Sequence, residues 1–367
     1  MEFTASQIVA AIEEIAPLHY QESYDNAGFC VGNPQTKVTA ALLCFDVTEA
    51  IIDEALQVGA NLIISHHPVI FKGLKQITGK TNTERIVEKA IKNNILLYAA
   101  HTNIDSVRGG VNEAIADKLQ LQKRKILSTR KGECLKLVTF VPNSHAENLR
   151  KALFEAGAGA IGNYNECSWN TLGEGTFKAN NGANPFVGTI GERHTEQEVR
   201  VETIVPRACL SKVLRNLFLT HPYEEPAYDI IPLENNFADV GSGMIGELPE
   251  HLSVQAFLQN LKTNFDISCL RYSQSSVEKI SCVAVCGGSG AFLINDALAA
   301  GAQAFISADF KYHDFVDADQ RMLLVDIGHY ESECGVMNIF YNCLTKKIPT
   351  FAVHLAKNAK NPINYLA

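Results

Sequence analysis

The chain has 367 residues, of which 46% are hydrophobic and 20% are charged, and its formal net charge is −8. This length predicts two or three domains with packed cores, and the low charge content argues against a long disordered tract. The acidic balance makes a nucleic-acid-binding protein unlikely on electrostatic grounds, because such proteins carry a basic face.

The amino-terminal segment has the pattern of an amphipathic helix rather than of a targeting signal. Glu13 and Glu14 lie inside its apolar periodicity, and no basic start precedes it. No stretch approaches the ~18 consecutive apolar residues of a membrane span. The ten cysteines are scattered, and several occupy apolar, strand-like runs, as is typical of buried thiols in a reducing compartment. We therefore expect a cytoplasmic protein.

An internal repeat organises the two ends of the chain. Residues Cys44–His67 align with Cys286–Asp309 without a gap. Each copy has the pattern of a strand, a short turn, a helix ending at glycine and a buried strand, which is a βαβ signature. The repeat predicts an α/β core of two similar halves, at residues 1–130 and 239–367.

A second match follows each copy of the repeat. An apolar strand leads into His-x-x-x-acid in both halves, so that His101 corresponds to His329 and Asp105 to Glu333. The first copy is longer between the two matches, and a helix over Glu84–Asn93 accounts for the extra length. A shared site at the junction of the two halves is a natural consequence of this duplication.

Residues 131–238 interrupt the repeat. Their predicted elements are a strand over Leu135–Val141, a helix from Ser144 to about Ala156, a strand near Glu166–Leu172, a strand over Val199–Val205, a helix over Leu210–Thr220 and a strand over Ala227–Pro232. This βαββαβ order predicts an inserted ferredoxin-like domain. A loop rich in glycine and asparagine covers 178–191, and a linker near 235–242 leads back to the core.

A pair of histidines follows a short buried strand in the first half. His66 and His67 come directly after the strand over Asn61–Ser65 and just before Pro68. Adjacent strand residues face opposite sides of a sheet, so both rings can share one cavity only if the chain turns there. The carboxyl end of a parallel strand is the usual place for a ligand crevice.

Further candidate ligands follow strands elsewhere in the core. His329 and Glu333 come after a strand over Met322–Ile327, and their i, i+4 spacing places them on one helix face. The helical run begins there and is predicted over Glu331–Leu344. Asp105 follows the strand over Ile95–Ala100.

Together these residues predict a metal site, although each motif alone is more often structural or exposed. Imidazole and carboxylate ligands suit Zn, Fe, Mn, Ni or Co. Three histidines and two carboxylates exceed the needs of one catalytic zinc and suit two ions ~3.5–4 Å apart. Glu333 is the expected bridge between them. We assign His66, Asp105 or both to one ion and His67 or His329 to the other, a division that the sequence leaves open.

Three other features lie near the predicted strand ends, and two of them have two interpretations. His101 is the best remaining candidate for a general acid or base, or it is a hydrogen-bond partner of a ligand. Asp309 and His313 are candidates for lining the pocket. The glycine-rich turn Gly287–Gly290 either cradles a phosphate with its backbone N–H groups or simply allows tight packing.

The order and spacing of several motifs resemble one family, the NIF3-like proteins known as GTP cyclohydrolase 1 type 2 homologues. The matching runs are Tyr24–Gly32 (YDNAGFCVG), Ser65–Gly73 (SHHPVIFKG), Ala100–Ser106 (AHTNIDS), Cys286–Gly290 (CGGSG) and Asp326–Glu333 (DIGHYESE). The inserted segment, with His221–Asp229 (HPYEEPAYD), resembles the PII-like domain of the family's long members. The resemblance covers nearly the whole chain.

The resemblance implies two divalent metal ions per subunit, held by His66, His67, Asp105, His329 and Glu333, and zinc is the ion we expect in a crystal. It also implies a ring-shaped homohexamer, a trimer of dimers. The chain departs from the family at Ser307–Asp309 (SAD), where many members have TGD, and at Ser332, where many have Thr. Neither departure replaces a ligand, so the surroundings of the ligands are the part that differs.

Two functions from different classes are compatible with such a site. The first is a metal-dependent hydrolase of a nucleotide, a phosphoester or a cyclic amide, as the GTP cyclohydrolase label suggests. The alternative is a non-enzymatic, metal-bearing hexameric scaffold or regulator, with the inserted domain sensing a ligand or partner. A label shared across a fold is a weak guide to chemistry.

Overall fold

The computed structural model describes residues 2–366, which form two compact units. The core unit comprises the residues up to 129 and those from 239 onward, and the middle unit comprises residues 130–238. The mixed α/β class predicted from the sequence is confirmed.

The chain alternates strands and helices through most of its length. The strands are β1 (Phe3–Thr4), β2 (Gly28–Val31), β3 (Lys37–Val38), β4 (Ala40–Cys44), β5 (Leu62–Ser65), β6 (Leu96–Ala99), β7 (Gln122–Lys131), β8 (Cys134–Pro142), β9 (Ser168–Lys178), β10 (Arg193–Pro206), β11 (Tyr228–Leu233), β12 (Asn236–Ser253), β13 (Arg271–Tyr272), β14 (Lys279–Ser289), β15 (Ala304–Ala308), β16 (Leu323–Asp326) and β17 (Ala352–Leu355). The α-helices are α1 (Ala5–Glu13), α2 (Glu49–Gln57), α3 (Asn82–Lys92), α4 (Thr102–Asp105), α5 (Val111–Lys118), α6 (Ala146–Glu155), α7 (Leu210–Thr220), α8 (Val254–Phe265), α9 (Ile294–Ala299), α10 (Tyr312–Asp317), α11 (His329–Glu333) and α12 (Val336–Lys347).

Two large sheets and a small two-stranded sheet of β1 and β3 build the core unit. The first has the strand order β17-β4-β5-β6-β2, in which β17, β4, β5 and β6 are parallel and β2 is antiparallel to β6. The second has the order β13-β16-β15-β14-β12-β7, in which β14, β15 and β16 are parallel and β13 is antiparallel to β16. Each large sheet therefore contains three consecutive parallel strands with an antiparallel strand beside the third.

This shared arrangement confirms the internal repeat. Strands β4, β5 and β6 correspond to β14, β15 and β16, and the short helices α4 and α11 follow the third strand of each set. The central strands are buried on both faces, as is usual for parallel sheets covered by helices. Their runs of Leu, Ile, Val and Ala supply the β-branched and aliphatic side chains that such positions require.

Side-chain caps fix the start of several core helices. The hydroxyls of Thr48 and Thr81 accept hydrogen bonds from the backbone N–H groups of Ile51 and Glu84, in the first turns of α2 and α3. Both helices then bury one apolar face against the first sheet, through residues such as Ile51 in α2. The caps fix where each helix begins, and the apolar stripes fix the face that it turns toward the sheet.

The middle unit is built on one antiparallel sheet of order β11-β8-β10-β9, with the element order βαββαβ. Helices α6 and α7 pack their apolar faces against one side of this sheet. Strands β9 and β10 extend beyond the ranges that the sequence predicts for them and pair over eleven residues, from Ser168 to Lys178 on β9.

Two sequence expectations are wrong. The expected linker at 235–242 is instead the first part of strand β12, which runs from Asn236 to Ser253. Its polar and glycine-rich composition was outweighed by pairing within the second sheet, because strand preference depends on neighbours. The single helix expected over Glu331–Leu344 is two helices, α11 and α12, separated at Cys334 and Gly335.

Among residues 2–366, no helix is both long enough and apolar enough to span a bilayer.

Candidate metal centre

Four histidines meet where parallel strands of both core sheets end. His66 and His67 follow β5 directly, His101 lies between β6 and α4, and His329 is the first residue of α11 after β16. His66 is fully buried and stacks against the ring of Phe45 at a centroid distance of 5.5 Å. The duplicated strand–helix junctions of the two halves thus deliver imidazoles to one point.

Each imidazole uses its Nδ1 atom in a hydrogen bond that fixes the ring. The pairs are His66 with Ala100 O at 2.9 Å, His67 with Asp46 Oδ1 at 2.8 Å, His101 with Asp25 Oδ1 at 2.7 Å and His329 with Asp309 Oδ2 at 2.7 Å. Metal-binding histidines characteristically bond their second ring nitrogen to a carboxylate or a backbone carbonyl in this way. The Nε2 atoms are therefore the ones available to the centre.

Glu333 lies at the middle of these nitrogens. Its Oε2 atom is 3.5 Å from Nε2 of His66, 3.5 Å from Nε2 of His67 and 2.9 Å from Nε2 of His329. Asp105 Oδ1 lies 3.8 Å from Nε2 of His66. Glu333 Oε2 is thus equally far from the Nε2 atoms of His66 and His67, both of which belong to the first half of the chain.

Three ligand-type atoms in this cluster are buried without a hydrogen-bond partner. They are His66 Nε2, Asp105 Oδ1 and Glu333 Oε2. Burying a polar atom without a well-directed hydrogen bond is costly. A divalent cation would satisfy all three atoms, so the donors present fit a metal.

Three sets of side chains have one donor atom each within 4.8 Å of the others. They are His66, His67 and His101; His67, His329 and Glu333; and His66, Asp105 and Glu333. All five ligands predicted from the sequence occur in these sets, and His101, which we considered as an acid or base, joins them. The donors are nitrogen and oxygen, the combination that suits Zn, Fe, Mn, Ni or Co.

Neighbouring charges shift the pKa values of Glu333 and His67 in opposite directions. Burial would raise the pKa of Glu333, but the imidazoles of His329, His66 and His67 outweigh it and hold that pKa well below its usual range. Burial would lower the pKa of His67, but Asp46 and Glu333 outweigh it and raise that pKa to about 10.

Two further groups of the cluster titrate away from their usual ranges. For His329, Glu333 and Asp309 outweigh burial and raise the pKa to about 9. Burial and the charge of Glu333 raise the pKa of Asp105 to about 7, although the nearby His66 opposes them. Protons therefore occupy positions that a cation would otherwise take.

The glycine-rich segment after Cys286 packs against the centre rather than forming an open anion cradle. Gly287 N donates to Asn112 Oδ1 at 3.0 Å, and Gly288 N donates to Ser332 Oγ at 3.0 Å. These amides are already used, which corrects the phosphate interpretation for both residues. A Cβ atom at Gly288 would lie 2.3 Å from Glu333 Oε1, and its φ of +58° also favours glycine.

Sequence reasoning missed two orienting carboxylates, Asp25 and Asp46. Asp46 follows strand β4, so the rule that ligands follow parallel strands could have found it. The side chain of Asp25 is fully buried, and hydrogen bonds from His101 and Thr102 outweigh its burial and lower its pKa to about 2. Asp309 orients His329, whereas His313 does not line the cavity beside the centre.

A cavity of about 420 Å³ opens onto the centre. Its walls include the ligands Asp105, His329 and Glu333, with His101 beside them. The other lining residues are Glu22, Tyr24, Thr102, Ser106, Asn112, Ser242, Gly243, Cys286, Gly287, Ser289 and Phe292. The cavity is large enough for a small heterocyclic molecule.

Fold and site together define an α/β protein with a histidine–carboxylate centre of the kind that binds divalent metals. The sequence profile of the Duf34/NIF3 family (NGG1p interacting factor 3) matches residues 3–362. The chain belongs to this family, as the motifs in its sequence predict.

Relatives and solved structures agree with this assignment. A Halalkalibacterium halodurans protein is 41% identical over 324 residues, which are 88% of this chain and 87% of that protein. A Bacillus subtilis protein is 35% identical over 365 residues, or 98% of both chains. Each is named "GTP cyclohydrolase 1 type 2 homolog". A crystal structure of a Bacillus cereus protein related to NIF3 superposes with a TM-score of 0.88 at 37% identity, covering 99% of both chains.

Proposed function

We propose that this protein is a hydrolase that depends on two divalent metal ions, which His66, His67, Asp105, His329 and Glu333 would hold. The observation that carries the proposal is the convergence of Nε2 atoms from His66, His67 and His329 on one buried carboxylate oxygen. Two of the three ligand sets include Glu333, so this residue is the natural bridge. We assign His66 and Asp105 to one ion, and His67 and His329 to the other.

Bound there, two divalent cations would supply Lewis acidity and make a nucleophilic water available near neutral pH. The protein's own residues position the substrate and move protons. His101 lines the cavity, and its Nδ1 atom is bonded to the buried carboxylate of Asp25. This pairing orients the ring, so that His101 can exchange a proton with a leaving group at its other nitrogen.

The cavity favours an uncharged cyclic amide or purine ring over a highly charged nucleotide. None of its lining residues is Lys or Arg, the side chains that commonly hold phosphate groups. Tyr24 and Phe292 instead offer aromatic faces, and Phe292 is 66% exposed. Hydrolytic opening of a nitrogen heterocycle is also the chemistry that the relatives' name "GTP cyclohydrolase 1 type 2 homolog" suggests.

The test compares purified protein that has been stripped of metal and then reloaded with Zn, Mn or Fe. Guanosine, guanine and GTP are offered as substrates together with a simple phosphodiester, and ring opening or phosphate release is measured. We expect ring opening of the uncharged compounds, and its loss in Glu333→Gln. If no compound is turned over while metal stays bound at full stoichiometry, the scaffold or regulator function replaces the hydrolase.

We also propose that the chain assembles as a homohexamer, a trimer of dimers, in the cytoplasm, and that the middle unit is a PII-like domain. Membership of the Duf34/NIF3 family supports this assembly, because the sequence resemblance implies a ring-shaped hexamer. The ten cysteines, all of them free, support a reducing compartment. Light scattering after size-exclusion chromatography measures the mass, and a monomer at micromolar concentration would rule out the hexamer.

A further inference from the structure

The middle unit contains a second cavity, of about 810 Å³, on the side of its sheet that the helices leave open. Residues of β8 and β10 alternate between the two faces, so Val141 and Val199 pack under the helices while Phe140 and Arg200 line the cavity. The glycine-rich loop after β9 forms another wall, and Asn184 N ties it down through a 2.8 Å hydrogen bond to Glu224 Oε2.

Aromatic rings form part of the wall of this cavity. Phe177 and Phe186 each lie near the ring of Tyr223, at centroid distances of 6.1 and 6.3 Å. Phe140 also lines the cavity. Such rings accommodate a flat ligand by stacking and attract a cation placed over their faces.

The lining is also strongly acidic. It contains Glu174, Glu198, Glu224 and Glu225 but only one basic residue, Arg200. Arg200 already pairs with Glu202, which lies outside the cavity, at 2.9 Å. The field inside the cavity therefore favours a positive ligand.

Glu198 is the residue that distinguishes this cavity from an exposed acidic patch. It is only 9% exposed, and no basic side chain of residues 2–366 lies within 4 Å of its carboxylate. Tyr223 donates a hydrogen bond to Oε1 at 2.7 Å. Oε2 lies 2.1 Å from where a Cβ of residue 175 would be, so Gly175 provides the space that this oxygen occupies.

From these contacts we propose that the cavity of the middle unit is a binding site for a small planar organic cation of the amidinium or guanidinium class. A buried carboxylate without a cationic partner is unfavourable. A charged N–H donor would complete its hydrogen bonding and balance its charge. A planar cation presents two N–H groups to Glu198 while its flat face lies against Phe177 or Tyr223. This site does not depend on the proposed hydrolase activity.

Calorimetric titration of the full-length protein with benzamidine and with benzamide tests the proposal, because the two probes have nearly the same shape and differ in charge. We expect benzamidine to bind at least about tenfold more tightly, the effect of one charged hydrogen bond. Glu198→Gln should remove this preference. Glu147→Gln, which changes an exposed carboxylate of helix α6 outside the cavity, should retain it.

A second variant covers the case in which Glu198→Gln misfolds, which circular dichroism would detect. Phe177→Leu removes an aromatic wall and should weaken both probes several-fold while preserving the preference for the cation. Equal affinities for the two probes, or an unchanged preference in Glu198→Gln, would overturn the proposal. The proposal would also be overturned if the intact protein bound neither probe. That conclusion would hold even if Glu198→Gln altered the oligomeric mass of the protein.

Discussion

The Nε2 atoms of His67 and His329 lie 3.4 Å apart, although the two residues are separated by 262 positions in the chain. The Nδ1 atoms of both rings are bonded to carboxylates, of Asp46 and Asp309 respectively. Both Nε2 atoms also lie within 3.5 Å of Glu333 Oε2. The two halves of the core thus present matching nitrogens to one carboxylate, the geometry from which the following predictions derive.

Metal binding should release protons. In the metal-free protein the pKa of His67 is raised to about 10 and that of His329 to about 9, so both rings are protonated at neutral pH. A cation must displace these protons, and its affinity should rise with pH until both groups have titrated. Calorimetry in buffers of different ionisation enthalpy should detect release of about one proton each from His67 and His329 near pH 7, and a further fraction from Asp105, whose pKa is about 7. Binding without proton release, or with an affinity independent of pH between 6 and 9, would contradict the assigned ligands.

The carboxylates behind the histidines should set metal affinity without touching the metal. Asp46→Asn and Asp309→Asn each weaken the hydrogen bond that fixes one imidazole, and such changes typically cost 10–100-fold in affinity. Competition with a coloured chelator measures the loss. Asp53→Asn is the matched control, because Asp53 forms an ion pair with Lys89 at the surface. An equal affinity in all three variants would show that ring orientation is unimportant here.

Position 288 should require glycine for two reasons: its positive φ, and the space that the Glu333 carboxylate occupies beside it. An alanine at a positive φ costs roughly 1–2 kcal/mol in stability, and both Gly288 and Gly301 have such angles, at +58° and +80°. A Cβ at Gly301 would contact nothing within 4 Å, whereas one at Gly288 would collide with the Glu333 carboxylate. Gly288→Ala should therefore lose more stability than Gly301→Ala in chemical denaturation, and only Gly288→Ala should lose metal. Retained metal in Gly288→Ala would mean that Glu333 can move freely.

His101 should affect turnover more than metal content. As a general acid or base it would contribute about 10²–10⁴-fold to kcat, so His101→Gln should lower kcat by that order while elemental analysis finds the full complement of metal. Asp25→Asn should lower kcat in the same direction by loosening the ring. The exposed His313, outside the cavity, provides the control variant His313→Gln. Loss of metal from His101→Gln would instead make His101 a ligand, as its distance to His66 and His67 also allows.

The sequence predicted those features whose residues lie close together in the chain. The repeat predicted the parallel strands and the paired positions of His101 and His329, because strand and helix periodicity and strand-end residues are visible in short windows. The family resemblance was confirmed, and the structure brings the five predicted ligands together. These successes depend on features that each occupy a few neighbouring residues.

The pairing of the orienting carboxylates with their histidines was not predictable in the same way. Asp25 and His101 are 76 positions apart, and Asp46 and His67 are 21 apart, so each pairing exists only once the strands have assembled. Strand β12 was mistaken for a linker for a related reason, since its place between two strands of the second sheet overrides a polar, glycine-rich composition. Tertiary contacts decide such positions, and short sequence windows do not contain them.

The central claim is a centre of two metal ions sharing Glu333. Crystals of the protein grown with Zn, with diffraction data collected on both sides of the zinc absorption edge, test it most directly. We expect two anomalous peaks per chain, ~3.5–4 Å apart, each within bonding distance of the Glu333 carboxylate, and none in crystals of Glu333→Gln. A single peak, or peaks that persist unchanged in Glu333→Gln, would contradict the account.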